Sequence, residues 1–187
     1  MAGFSRFSEI MDMDPDIEDH EDAQELIVKQ GKIEFDNVDF KYNEDSKVLE
    51  DFNLDIKSGE KLALVGPSGG GKTTICSLIP RFYEVTDGAL KIDGVDVKKV
   101  TQRSLRKNIG IVQQDVFLFS GSIKENIAYG KLDATDEEIM ESAKQANAHG
   151  FIMKLEEGYD TYIGEKGVKL SGGQKQRISL ARIFLKD

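Results

Sequence analysis

Cysteine is almost absent from this chain: Cys76 is the single thiol, and His20 and His149 are the only histidines. One thiol closes no internal disulfide and builds no zinc cluster, and two histidines make a histidine metal site equally unexpected. Cys76 is expected to behave as a small buried hydrophobe. No apolar run approaches the roughly 20 residues that span a bilayer, and the N-terminus lacks the positive and apolar regions of a signal peptide, so the chain reads as cytosolic in character. There is no internal repeat and no low-complexity tract. Positive charge is short as well, with 25 Lys and Arg against 34 Asp and Glu and a net charge of -9. The deficit is local. Glu9, Asp12, Asp14, Asp16, Glu18, Asp19, Glu21, Asp22 and Glu25 face only Arg6 and Lys29 in the first thirty residues, and the remainder is close to neutral. Nothing resembles the basic face of a nucleic-acid binder, which excludes nucleic acid as a partner. What remains is an ordinary soluble balance, 39% hydrophobic and 32% charged over 187 residues, enough for one domain with a proper core.

Phe4, Phe7 and Met11 recur at helical spacing, so residues 3–12 read as a short helix ahead of an acidic linker containing Pro15. Ile33, Phe35 and Val38 alternate with polar residues, and residues 52–56 follow in the same manner, which suggests antiparallel strands. Residues 61–65 form a short apolar run that ends in a glycine loop, the pattern of a buried strand. A helix is expected over 72–82, a strand and turn over 88–97, and a further buried strand over 109–112. Beyond Gln114 the character turns helical. Ser122 with Glu125, and Thr135 with Glu138, have capping-box spacing, in which each side chain satisfies a backbone N–H that the helix leaves orphaned.

Two glycine motifs carry the chemistry. Gly66, Pro67, Ser68, Gly69, Gly70, Gly71, Lys72 and Thr73, with Thr74 next, match the phosphate-cradling P-loop. Its glycines let the backbone turn so that successive N–H groups face phosphate oxygens, and the following helix adds its positive end. Lys72 is expected to reach the β and γ phosphates and Thr73 to offer a hydroxyl to Mg²⁺. A plain glycine-rich turn is the alternative, and the strand before and helix after argue against it. Leu170, Ser171, Gly172, Gly173 and Gln174 form the second motif. Ser171 as N-cap with Gln174 three residues on is in itself a good helix start, but two glycines in a first turn cost helix stability. They make sense if a polyphosphate approaches the backbone there, beside the Ser171 hydroxyl.

From about Lys32 onward the chain strongly resembles the ATP-binding cassette family, whose signature is this second motif. The resemblance implies an α/β P-loop NTPase fold of ABC type, with an antiparallel β-subdomain and a helical subdomain at about 115–180 within a nucleotide-binding domain over 31–187. It implies ATP and Mg²⁺ as cofactors. Tyr42 fits the aromatic that stacks on adenine, with a strand-edge tyrosine as the alternative. Gln114 looks like the glutamine that touches Mg²⁺ and the attacking water and responds to the membrane domain; Gln113 should still belong to the strand. Gly164, Glu165, Lys166 and Gly167 resemble the exporter loop whose glutamate contacts membrane-domain coupling helices, a solvated turn being the alternative. Residues 117–122 are likewise typical of exporters. Residues 1–30 fit the end of a last transmembrane helix plus a linker, or an amphipathic surface helix.

The implied function is the ATP-hydrolysing motor of an exporter at the cytoplasmic face of the membrane. Its partners are a transmembrane domain and a second nucleotide-binding domain, in a homo- or heterodimer. Two cassettes pair head to tail, setting Lys72, Thr73 and Tyr42 opposite Ser171 and Gly173 of the other copy. A regulatory or assembly module without transport is the alternative, and an inactive fragment a third. After the signature helix, expected over 176–185, the sequence stops where the family continues into a strand ending in an aspartate and a catalytic glutamate. The 187-residue chain is therefore expected to be hydrolytically deficient alone, and either unstable or completed by further residues or another chain.

Overall fold

The computed structural model describes residues 2–13, 15–43, 46–164 and 169–186. They form two compact units, residues 1–109 and 110–187. Glu165, Lys166 and Gly167 of the exporter-like loop lie outside the described residues.

In the first unit, helix α1 (Ala2–Met11) leaves Phe4, Phe7 and Met11 exposed. Strands β1 (Ile33–Lys41), β2 (Lys47–Ile56), β3 (Asp87–Ile92) and β4 (Val95–Asp96) make an antiparallel sheet in the order β2-β1-β3-β4. Phe35 pairs with Leu54 on one side and Leu90 on the other. Strict alternation from Phe35 would turn Asn37 and Asp39 inward. Instead Asn37 takes a left-handed φ of 49°, and the register shift there brings Val38 and Phe40 to the core, as a β-bulge does. Helix α2 (Lys72–Leu78) and helix α3 (Gln102–Lys107) add Ile75, Leu78 and Leu105 to this core.

Helix α2 stops short of the expected residue 82. Arg81 at φ 56° turns the chain, its N–H bonding Leu78 O and that of Phe82 bonding Ser77 O. This is a Schellman cap with arginine where glycine is usual. The buried guanidinium bonds Glu84 Oε1 at 2.8 Å and the Glu18 carbonyl at 3.0 Å, and ion-pairs with Asp19, so it holds the acidic linker on this unit. Asp93 holds the linker's other end. The backbone N–H groups of Gln30 and Lys29, with those of Lys32 and Gly31, donate to its carboxylate and keep its pKa well below the usual carboxylate range.

The second unit is helical. Its elements are strand β5 (Gly121–Ser122), helices α4 (Ile123–Ala128), α5 (Asp136–Gln145) and α6 (His149–Ile152), strand β6 (Tyr162–Ile163), and helix α7 (Gly172–Lys186). Strands β5 and β6 pair antiparallel. Along α7, Ile178, Ala181 and Leu185 recur on one face and meet Ile123, Ile127, Ile139 and Ala143 from α4 and α5. Both expected capping boxes are made: Ser122 with Glu125, and Thr135 with Glu138. The signature helix begins at Gly172 rather than Gln176, because the Ser171 cap sits directly ahead of it.

Three expectations are corrected. Residues 61–65 and 109–112 join no strand ladder among the described residues, and Leu62, Val65, Ile111 and Val112 are exposed. An apolar run becomes a strand only where a neighbour supplies N–H and C=O partners, and none of the described strands pairs with either segment. Cys76 is exposed, not buried, because α2 turns Thr74, Ile75 and Leu78 to the core and position 76 falls on the opposite face.

Candidate functional site: the two glycine motifs

The P-loop carries its glycines where backbone geometry requires them. Gly69 and Gly71 stand at φ 81° and 78°, the left-handed region that L side chains rarely adopt. A Cβ on Gly71 would also meet Leu49 Cδ2 at 3.2 Å. Gly71 is the residue ahead of α2, and no side chain caps that helix. Its first-turn N–H groups are therefore donors in need of acceptors, reinforced by the positive end of the helix. Lys72 folds back over the loop, with Nζ donating to the carbonyls of Gly66 at 2.9 Å and Pro67 at 2.6 Å. Gly70 N–H closes a turn on the Pro67 carbonyl at 3.2 Å. Ser68 and Thr73 are exposed, and Thr74 is buried. The arrangement is one anion-seeking pole: an ammonium, an uncapped helix start and exposed hydroxyls.

Tyr42 lies in the same unit. Its hydroxyl is 3.0 Å from Thr74 Oγ1, which ties the ring to α2. Phe40 and Tyr83 pack against that ring at centroid distances of 4.8 and 5.1 Å and interplanar angles of 86° and 89°. Phe40 and Tyr83 were not singled out from the sequence; the adjacent Phe82 and Tyr83 just beyond the P-loop helix were the available signal.

The second motif is built differently. Ser171 Oγ accepts from Gln174 N–H at 3.3 Å, and Gln174 Oε1 accepts from Ser171 N–H at 2.8 Å, so the helix start caps itself. Gly172 and Gly173 have no left-handed φ, and a Cβ on either would meet nothing within 4 Å. Local geometry therefore does not demand glycine there. Gln114 lies in this unit, where a cavity of about 360 Å³ is lined by Gln114, Asp115, Gly172, Lys175 and Gln176.

Just beyond Gln114 the chain is clamped to α7. Asn126, buried at 1% exposure, accepts the Phe119 N–H and donates to the Phe119 and Ser122 carbonyls. Arg182 of α7 donates to the Asn126 and Phe117 carbonyls and lies over the Phe119 ring. Burial pushes its pKa down, yet a guanidinium stays cationic. Beside this clamp, Phe117, Leu118, Phe119, Ile163 and Leu170 line a cavity of about 800 Å³ with Lys169 and Lys175. His149 is occupied elsewhere, its Nδ1 lying 2.8 Å from the Tyr159 hydroxyl. Among the described residues no group of three His, Cys, Asp or Glu could hold a metal, and no helix is long and apolar enough to cross a membrane.

A phosphate-seeking loop at the head of a helix, with the second glycine motif opening another helix, defines a class rather than a particular protein. Residues 49–187 match the family model for ABC transporters, and the chain belongs to that family. It is 52% identical over its whole length to the uncharacterized ABC transporter ATP-binding protein YwjA of Bacillus subtilis, covering 32% of that protein. It is 56% identical over 180 residues to an ATP-binding/permease protein of Staphylococcus aureus, covering 96% of this chain and 31% of that one. A solved bacterial Atm1-family ABC exporter with ATP bound superimposes with a TM-score of 0.91 at 42% identity, over all of this chain and 33% of that one. The chain thus spans about a third of the length of the relatives it matches.

Proposed function

We propose that this chain belongs to the nucleotide-binding domain of an ABC exporter and binds ATP with Mg²⁺, the complete protein coupling ATP hydrolysis to transport. The uncapped start of α2, with Lys72 beside it, carries this assignment, since its donors and charge suit a polyphosphate. Gly66, Pro67, Ser68, Gly69, Gly70 and Gly71 would wrap the phosphates, Lys72 would neutralise them, and Thr74 would complete the cradle. Tyr42 would stack on the adenine. Thr73 would offer its hydroxyl to Mg²⁺, and Gln114 of the second unit is the other candidate ligand. Gln114 would also position the attacking water, catalysis being mostly placement and charge neutralisation.

The signature motif, with Ser171, Gly172, Gly173 and Gln174, would meet the nucleotide of a second nucleotide-binding domain, head to tail. Glycines that local geometry does not require are accounted for by a polyphosphate passing close to the backbone. The cavity beside Phe117 and Leu170 would receive a coupling element of a transmembrane domain, and the domain would then lie at the cytoplasmic face of a membrane. Residues 1–30 would then be the connection to that membrane part, and 31–187 the nucleotide-binding domain.

Sedimentation velocity with and without Mg-ATP tests the assignment. ATP should shift the protein from monomer toward dimer, and Ser171→Ala should weaken that shift while ATP still binds. ATP binding with no ATP-dependent association at high micromolar protein would remove the head-to-tail arrangement.

A further inference from the structure

Tyr42 is 49% exposed and lies at the end of β1, a position from which a tyrosine ring ordinarily samples several rotamers. Here its plane is fixed from three directions. Phe40 packs perpendicular to it from the neighbouring strand position, at 86°. Tyr83 packs perpendicular to it from the segment after α2, at 89°, and also touches Phe40 at 5.8 Å. The hydroxyl is held by Thr74 Oγ1 on the P-loop helix. Two of these three anchors come from the P-loop side of the unit: Thr74 from α2 itself, and Tyr83 from the turn that the Arg81 cap forms at the end of α2. The chain therefore connects the ring proposed to meet the base to the helix proposed to meet the phosphates.

We infer that Tyr83 is a positioning residue for base recognition: it touches no nucleotide, but its ring holds Tyr42 in one orientation, so affinity for the adenine part of ATP depends on it. This rests on the nucleotide-binding function proposed above. A stacking platform that is already ordered binds a base without the cost of freezing its rotamer, and removing a perpendicular aromatic neighbour returns that cost. The triphosphate contributes through Lys72 and the backbone of the loop, none of which Tyr83 touches among the ring contacts it makes. The loss is therefore confined to the base. The phenolic oxygen of Tyr83 is no part of the contact, so a phenylalanine should serve as well.

The experiment is titration calorimetry of the protein with two probes, ATP and inorganic tripolyphosphate, using the unsubstituted chain, Tyr83→Ala and Tyr83→Phe. Tyr83→Ala should weaken ATP about 3- to 10-fold, corresponding to the loss of one aromatic pair, and leave the tripolyphosphate Kd unchanged. Tyr83→Phe should bind both probes as the unsubstituted protein does. Unchanged tripolyphosphate binding also shows that the P-loop of the alanine variant is folded. Unaltered ATP affinity in Tyr83→Ala overturns the inference, and so does equal weakening of both probes, which marks a structural role. Failure of the unsubstituted protein to bind ATP overturns the nucleotide-binding function itself, and this inference with it.

Discussion

At the start of α2 the capping position is a left-handed glycine with no side-chain partner, whereas at the start of α7 Ser171 and Gln174 satisfy each other's backbone N–H groups. At the first, glycine is dictated by the backbone: φ of 78° at Gly71, with Leu49 close to where a Cβ would be. At the second, Gly172 and Gly173 sit in open space at ordinary φ. The P-loop is thus a helix start without a side-chain cap, while the signature helix carries its own cap and holds glycines that its local geometry does not require. Motifs that look alike as strings of glycine differ in what a ligand adds to them.

Alanine substitutions probe this difference directly. Gly71→Ala should destabilise the protein by about 1–2 kcal/mol, the cost of forcing an L residue into the left-handed region, read as a lower urea midpoint. Ser171→Ala should cost about 1 kcal/mol through loss of the cap. Gly173→Ala should go the other way, raising stability by a few tenths up to about 1 kcal/mol because alanine suits a helix better, even as it weakens ATP-dependent association. A destabilised Gly173→Ala would show that the signature glycines are structural after all, and the contrast with Gly71 would collapse.

A smaller effect is a pH dependence within the P-loop unit. Asp93 belongs to the P-loop unit, and its pKa is lowered chiefly by the Gln30 and Lys29 N–H groups. A depressed folded pKa stabilises above the unfolded carboxylate value of roughly 3.9, and the stabilisation fades as pH falls toward the folded value. Asp93→Asn should therefore flatten the fall in urea midpoint below about pH 4, an effect absent from substitutions in α7.

What was legible in the sequence was local. Capping boxes, the glycine loop and the β1 pattern each depend on residues within a turn or two, so spacing alone exposes them. Residues 61–65 and 109–112 looked like strands because they are apolar, but a strand requires a partner, which no run of residues announces. The bulge at Asn37 and the arginine cap at Arg81 escaped notice because both put non-glycine residues at positive φ. Of the candidate site residues, the P-loop could be picked out by pattern, and Tyr42 and Gln114 through the family resemblance. Their supports could not: Tyr83 reaches Tyr42, and Arg182 reaches Phe117, only across the fold.

The claim that the two motifs serve different half-sites is tested most directly by titrating ATP into the unsubstituted protein, Lys72→Ala and Ser171→Ala at concentrations where all three are monomeric. Lys72→Ala should lose about 10- to 100-fold in affinity, the worth of a charged hydrogen-bonding group on phosphate, while Ser171→Ala binds as tightly as the unsubstituted protein. A Ser171→Ala variant that loses as much as Lys72→Ala, or a Lys72→Ala variant that loses nothing, would contradict it.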